Sequence, residues 1–376
     1  MTNGAFRKSL FVACSMVAAV ASNTPGDMDM GPASNGTNST ASKNVSSLPY
    51  MLGFNFAGLD FGATNDGGYQ NNAVEPPLSQ IAHFVTEQGA NCVRVPVAWE
   101  LLQTKPKGEL EQEGLKKFQN VMDEILKTDA YAIIDIHSYA RYQKKIVGES
   151  DIMAEDLLDL WLKLAKLYPS IKVMLGLANE PHEVDIKKWK DTVQIVVTGL
   201  RNAGVNNVIL IPGDNFTSLK ELHNWYPILK EIKNPDGTFD NLIFEAHRYF
   251  DSDNSGTHEE CVADHVEEVN SVLGILKADN RQVLIAEFGS SSSQSCLDLV
   301  PKFVGAVKDG YPTIVGALAW AAGAFDEKYL LVITVAKNSA KNEWEDKPNW
   351  KSYQKFLPEK GGSNGSDAAV IAGESG

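Results

Sequence analysis

Eight short apolar runs recur along the chain, separated for the most part by stretches with helix-like periodicity. The runs are "MLGFNFAG", "NCVRVPV", "YAIIDIH", "KVMLGLAN", "NVILIPG", "NLIFEAH", "QVLIAEF" and "TIVGALAW". They lack clean period-2 alternation, as expected of strands buried on both faces. Between them, residues 78–88, 115–127, 154–168, 185–202, 259–278 and 296–308 carry amphipathic helix patterns. Eight strands alternating with seven or eight helices place the chain in the α/β class and predict a parallel (β/α)8 TIM barrel. The rival is a doubly wound open sheet, which would carry a glycine-rich phosphate loop after its first strand. The stretch "GLDFGATNDGG" has glycines but no G-x-G-x-x-G leading into a helix.

The flanks read differently. Arg7 and Lys8 precede the apolar stretch "SLFVACSMVAAVA", and Ala19-Val20-Ala21 offers an A-x-A cleavage site. This predicts a secretory signal over 1–21, too short for a spanning helix. Residues 22–48 are rich in Ser, Asn, Thr, Gly and Ala, and 359–376 read likewise, so both are expected to be flexible segments. The ordered (β/α)8 domain is then expected over 49–358, within the range of one decorated barrel. The formal charge is −14, and loss of the two basic signal residues gives 32 − 48 = −16. So acidic a chain is a poor partner for nucleic acid or an anionic membrane surface, whereas a neutral polymer suits it. Cys14 leaves with the signal, and Cys92 sits in a strand as an expected buried thiol. Cys261 and Cys296 both follow polar loops and are the expected disulfide, though the sequence by itself does not prove the pairing. Sequons stand at Asn35, Asn38, Asn44, Asn215 and Asn364.

In such a barrel the C-terminal ends of all the strands face one mouth. Strand two carries Arg94, strand three ends on His137, and strand four ends on Asn179 and Glu180. Strand six ends on His247 with Tyr249 two residues on, strand seven on Glu287, and strand eight on Trp320. Taken singly, Arg94 could be an ion-pair residue, His137 a core histidine, Glu180 a solvated turn and Trp320 core. Polar groups embedded in apolar runs are costly unless paired or functional, and chance does not gather this many at strand ends. Two carboxylates across one cleft are the parts needed for glycoside hydrolysis. Asn179 could bind a sugar hydroxyl, Arg94 and Tyr249 could hold Glu287, the histidines could bind hydroxyls or tune the acid, and Trp320 offers a flat face to a pyranose ring. His83, His182, His223, His258 and His265 read as structural or surface. No H-E-x-x-H or close-spaced histidine pair argues for a metal.

On these residues the chain resembles glycoside hydrolase family 5, most closely its fungal-type endoglucanases. The stretches that carry the resemblance are "VRVPVAWE", "IDIHSYAR", "GLANEPH", "NPDGTFDNLIFEAHRYFDSDNSGTHEEC", "LIAEFGSSSSQSC" and "WAAGAFDEKYLL". The resemblance implies a (β/α)8 barrel and a retaining double displacement, with Glu180 as acid/base and Glu287 as nucleophile. It implies that Arg94, His137, Asn179, His247, Tyr249 and Trp320 bind substrate, and it supports the Cys261–Cys296 pair. No cofactor is implied. Two departures bear on the subsites: Phe216 stands where such cellulases have tryptophan, and "LLVITVAKN" lacks an expected acid. The expected protein is a secreted, extracellular, monomeric endo-β-1,4-glucanase acting on β-glucan polysaccharide. Alternatives are a β-mannanase or β-1,3-glucanase on the same barrel, a transglycosylase, or a silent glycan-binding protein. Because it would crowd the cleft, Asn215 is expected to be unglycosylated or to point away.

Overall fold

All eight apolar runs form strands of one closed barrel in the computed structural model, which describes residues 47–359. The strands are β1 Met51–Ala57, β2 Cys92–Val97, β3 Tyr131–Ile136, β4 Val173–Gly176, β5 Ile209–Pro212, β6 Leu242–Tyr249, β7 Val283–Gly289 and β8 Ile314–Gly323. Each pairs in parallel with its chain neighbour, and β8 closes onto β1. The expected signal, nearly all of the 22–48 arm, and the tail beyond Glu359 lie outside the described residues.

The alternation hidden in the sequence becomes visible once the two faces are separated. Outward residues such as Val93, Val95 and Val97, or Ala132, Ile134 and Ile136, pack in the shell beneath the helices. At the bottom of the barrel the inward residues are apolar too: Met51, Cys92, Ile133, Met174, Leu210, Ile243 and Leu284 fill one buried cluster. Both faces are therefore hydrophobic there, and period 2 disappears from the hydropathy pattern. Further up, the inward positions of β3 read Ile133, Asp135 and then His137, and those of β6 read Ile243, Glu245, His247 and Tyr249. The strands thus carry a dry plug at one end and a polar lining at the other.

Helices follow the strands as expected. They include Gln112–Leu126, Ala154–Leu167, Ile186–Asn202 and Gln294–Asp309. Three more were not singled out in the sequence, Trp99–Leu102, Leu222–Leu229 and Pro348–Tyr353, all short. One boundary moves: the pattern read over 259–278 becomes a helix only at Val266–Ala278. The stretch before it is a loop tied down by the Cys261–Cys296 disulfide. Cys92 is a buried free thiol, as its place in a strand implied.

Candidate active site

Arg94 organises the mouth. It points inward from β2 and is fully buried. Its Nη1 donates to Glu287 Oε1 at 2.6 Å and to Asn55 Oδ1 at 2.9 Å. Its Nη2 donates to Asn179 Oδ1 at 2.8 Å and to Glu245 Oε1 at 2.9 Å, with Asp135 Oδ1 3.1 Å away. Burial works against a charged guanidinium, but Asp135, Glu245 and Glu287 outweigh it and raise its pKa. A buried cation among three carboxylates is stable only because each satisfies the other.

Glu287 reaches the cavity through an irregularity. Leu284 and Ala286 face inward, so strict alternation would turn Glu287 outward. Between β6 and β7 the register slips: Ala246 pairs with Ile285, but the next residue, His247, pairs with Glu287. The extra residue is Ala286, and its carbonyl accepts the Asn55 amide at 2.9 Å. Such a bulge re-aims the side chain that follows it. Glu287 then takes the Arg94 bond on one oxygen and the Tyr249 hydroxyl, at 2.7 Å, on the other. Burial first, and then the charges of Glu287 and Glu180, raise the Tyr249 pKa well above its usual value, so its phenol stays a donor.

Glu180 arrives from a turn. Strand β4 ends at Gly176, earlier than the run to Asn179 suggests. Asn179 N–H still bonds the Ile136 carbonyl at 2.8 Å, which carries the chain across the mouth. Glu180 then sits at φ 43°, left-handed for a residue with a side chain. Strain of this kind persists only where its surroundings hold it. The Glu180 side chain is 15% exposed, against 3% for Glu287. Its one side-chain partner in the hydrogen-bond network is His247, whose Nδ1 lies 2.8 Å from Oε1.

The two carboxylates face each other: an oxygen of Glu180, an oxygen of Glu287 and a nitrogen of His247 all lie within 4.8 Å of one another. Above them opens a cleft of about 600 Å³ lined by His137, Glu180, His247, Tyr249, Glu287 and Trp320, among others. Six of the eight residues predicted for the site therefore meet the cleft. Arg94 and Asn179 lie beneath it, each fully buried and bonded to the other. Trp320 stacks against His137 at 5.5 Å and anchors its indole N–H on the Tyr329 hydroxyl at 3.0 Å. His137 Nδ1 lies 2.8 Å from Asp135 Oδ2. Burial lowers the His137 pKa, but Asp135 outweighs it and the net direction is up.

On the opposite wall, Phe216 stacks on His182 at 4.1 Å and stays 39% exposed. His182, read as structural in the sequence, supports that face. Asn215 is exposed on the same wall. Sequence reasoning also passed over Asn55, Asp135, Tyr139, Glu245 and Tyr329. Asp135 and Glu245 had a signal: each stands two residues before a site histidine, inside an apolar run, on the same strand face.

The fold and the paired carboxylates define a barrel glycoside hydrolase. The model of the family described as cellulase (glycosyl hydrolase family 5) matches residues 53–325, and the chain belongs to that family. It is 37% identical over 320 residues to the manganese dependent endoglucanase Eg5A of Phanerodontia chrysosporium, covering 83% of each chain. It is 36% identical over 315 residues to endoglucanase EG-II of Hypocrea jecorina, covering 79% of this chain and 75% of the relative. The crystal structure of Cel5A (EG2) from Hypocrea jecorina superposes with a TM-score of 0.78 at 34% identity, covering 84% of this chain and 99% of that one.

The name of the first relative makes the metal question concrete. Among the described residues, three possible ligand atoms converge at Glu180–His247–Glu287 and at Asp251–Asp253–His258. In each set the histidine faces carboxylates that favour its protonated form, so a divalent cation would have to displace that proton. The two His247 nitrogens lie 2.8 Å and 3.3 Å from carboxylate oxygens of Glu180 and Glu245. Asp251 accepts the backbone N–H groups of Gly256, Thr257 and His258, and its bond to His258 raises that imidazole's pKa toward the charged form. A metal needs the neutral imidazole.

Proposed function

We propose that this protein is an endo-β-1,4-glucanase working by double displacement with retention of configuration. The observation that carries the reading is the pair Glu180 and Glu287, whose nearest oxygens lie within 4.8 Å across one open cleft. Retaining glycosidases keep their carboxyl groups about 5–5.5 Å apart, inverting ones about 6.5–9.5 Å. The environments support the roles of Glu287 as nucleophile and Glu180 as acid/base. Glu287 is gripped on both oxygens by donors, which suits an anion poised to attack. Glu180 stands more exposed at the cleft, where a leaving group can reach it.

In the first step the Glu180 carboxyl gives its proton to the glycosidic oxygen. The C1–oxygen bond breaks as a Glu287 oxygen bonds to C1, and the leaving chain departs as an alcohol. In the second, Glu180 takes a proton from water, the water oxygen bonds to C1, and Glu287 is released as a carboxylate. Trp320 supplies a face for the ring, His137 lies beside it, and Phe216 offers an apolar surface further along the wall.

The test is reducing-end release from carboxymethyl cellulose and mixed-linkage β-glucan, beside mannan and β-1,3-glucan. Strong activity on the first two that collapses in Glu287→Gln supports the reading. Activity that survives the substitution means the chemistry lies elsewhere, and activity on mannan alone moves the substrate class.

The same reading places the mature enzyme outside the cell, with 1–21 removed. Supporting it are the basic and apolar N-terminal pattern and a disulfide, which persists in oxidising compartments. No helix among the described residues is long and apolar enough to cross a membrane. N-terminal sequencing of the protein from culture medium should begin near residue 22; an intact Met1 would refute the cleavage.

A further inference from the structure

Glu245 has no place in the reaction described above, yet it lies in the middle of the charged network. It faces inward from β6 one inward position below His247 and is fully buried. Its Oε1 accepts the Arg94 bond at 2.9 Å and lies 3.3 Å from His247 Nε2. Its Oε2 is buried with no hydrogen-bond partner.

The geometry around His247 gives that carboxylate a task. Nε2 faces Glu245, while Nδ1 lies 2.8 Å from Glu180 and 3.6 Å from Glu287. An imidazole with carboxylates at both nitrogens donates from both only as the cation; as the neutral ring that donates Nε2–H to Glu245, it accepts at Nδ1 a hydrogen bond from protonated Glu180. His247 and Glu180 therefore share a proton between them.

We infer that Glu245 is a positioning residue which, through His247, sets the proton inventory of the acid/base Glu180. This rests on the assignment of Glu180 given above. The other groups that face His247 are Glu287 of β7 and, one step removed, Arg94 of β2 behind Glu245, Tyr249 behind Glu287, and Tyr139, whose phenol lies in the field of Glu180. The backbone at Thr217 and Ser218 closes the remaining side without a titrating group. Burial works against a charged His247, but Glu287, Glu180 and Glu245 push its pKa up to about 10. Burial likewise opposes the Glu245 anion, and Arg94 and His247 outweigh it, so its pKa is lowered.

The sign follows directly. Removing an anion lowers the proton affinity of its neighbours, so the Glu180–His247 pair should lose its proton at lower pH. In Glu245→Gln the alkaline limb of kcat/KM, measured on a soluble aryl cellobioside, should move down by about one pH unit or more. The 15N signals of the His247 imidazole should leave their cationic positions at correspondingly lower pH. Glu245→Asp, which keeps the charge, should lose rate but keep the limb. A Glu245→Gln enzyme that loses rate with both the limb and the imidazole signals unmoved would reduce Glu245 to a structural part. Should that variant not fold, the wild-type imidazole decides: His247 titrating near the ordinary histidine pKa of about 6.5 overturns the proposal. The imidazole signals need no turnover, so they separate this inference from the function. A protein inactive on every β-glucan with His247 still cationic would sink the function alone.

Discussion

The two ends of the barrel are built on the same eight strands and obey opposite rules. At the base, inward positions hold Met51, Cys92, Ile133, Met174, Leu210 and Ile243, with no charged residue in the cluster. At the mouth, only one inward position further along the strands, the same ladder holds Arg94, Asp135 and Glu245, topped by His137 and His247. The base follows dispersion and the hydrophobic effect, where shape and volume decide. The mouth works by charge balance in a low dielectric, where one missing partner leaves another group buried and unpaired. The difference teaches how to read a substitution here. A change at the base should cost stability and spare the chemistry, and a change at the mouth should do the reverse unless it breaks the central ion network.

The sharpest break in that comparison is at Glu180. Glu180→Gln should lower kcat on polymeric substrate by about 10²–10⁴-fold, with the thermal midpoint nearly unchanged, because its side chain is the more exposed of the pair. A substrate whose leaving group needs no proton should recover most of the first step. Loss of folding instead would mean the mouth is structural.

Arg94 should be the exception that touches both properties. Arg94→Met leaves Asp135, Glu245 and Glu287 without their shared cation. Denaturant unfolding should show a loss of about 3–5 kcal/mol, with kcat reduced as well. A stable, active Arg94→Met enzyme would contradict the charge-balance account.

At the base, Ile133→Ala should cost about 2–5 kcal/mol through the cavity it leaves, with kcat and KM unchanged at temperatures where the protein is folded. A large fall in kcat without loss of stability would erase the distinction between the two ends.

The smallest effect lies at the rim. Asp251 takes backbone N–H groups of the loop 256–258. Burial opposes its charge, but those bonds and His258 outweigh it and hold its pKa at about 2. A carboxyl depressed in the fold stabilises above its unfolded pKa of about 3.9 and loses that contribution as pH falls toward about 2. Between those limits wild type should lose stability more steeply than Asp251→Asn. Parallel curves would remove Asp251 from the loop's support.

The sequence made this much legible for physical reasons that differ by residue. All eight strands were readable because their runs are short, apolar and evenly spaced, and the barrel follows from their number and alternation. His137 and His247 stood out as polar ends of apolar runs. Glu287 was visible as a residue type, yet its direction was not: it depends on the Ala286 bulge, which period-2 logic would have turned the wrong way. Glu245 and Asp135 were passed over because each lies inside a run, not at its end. Their inward register appears only when Ile133–Asp135–His137 and Ile243–Glu245–His247 are read as ladders. The late start of the helix at Val266 was hidden because the disulfide, not local propensity, shapes the stretch before it.

The central claim is that Glu287 attacks the sugar while Glu180 handles the proton. The most direct measurement uses a 2-deoxy-2-fluoro cellobioside with a good leaving group, which lets the covalent intermediate form but slows its hydrolysis. Peptide mass spectrometry after such a reaction should find one cellobiosyl adduct, on Glu287. An adduct on Glu180, or inversion at C1 with no adduct at all, would contradict the account.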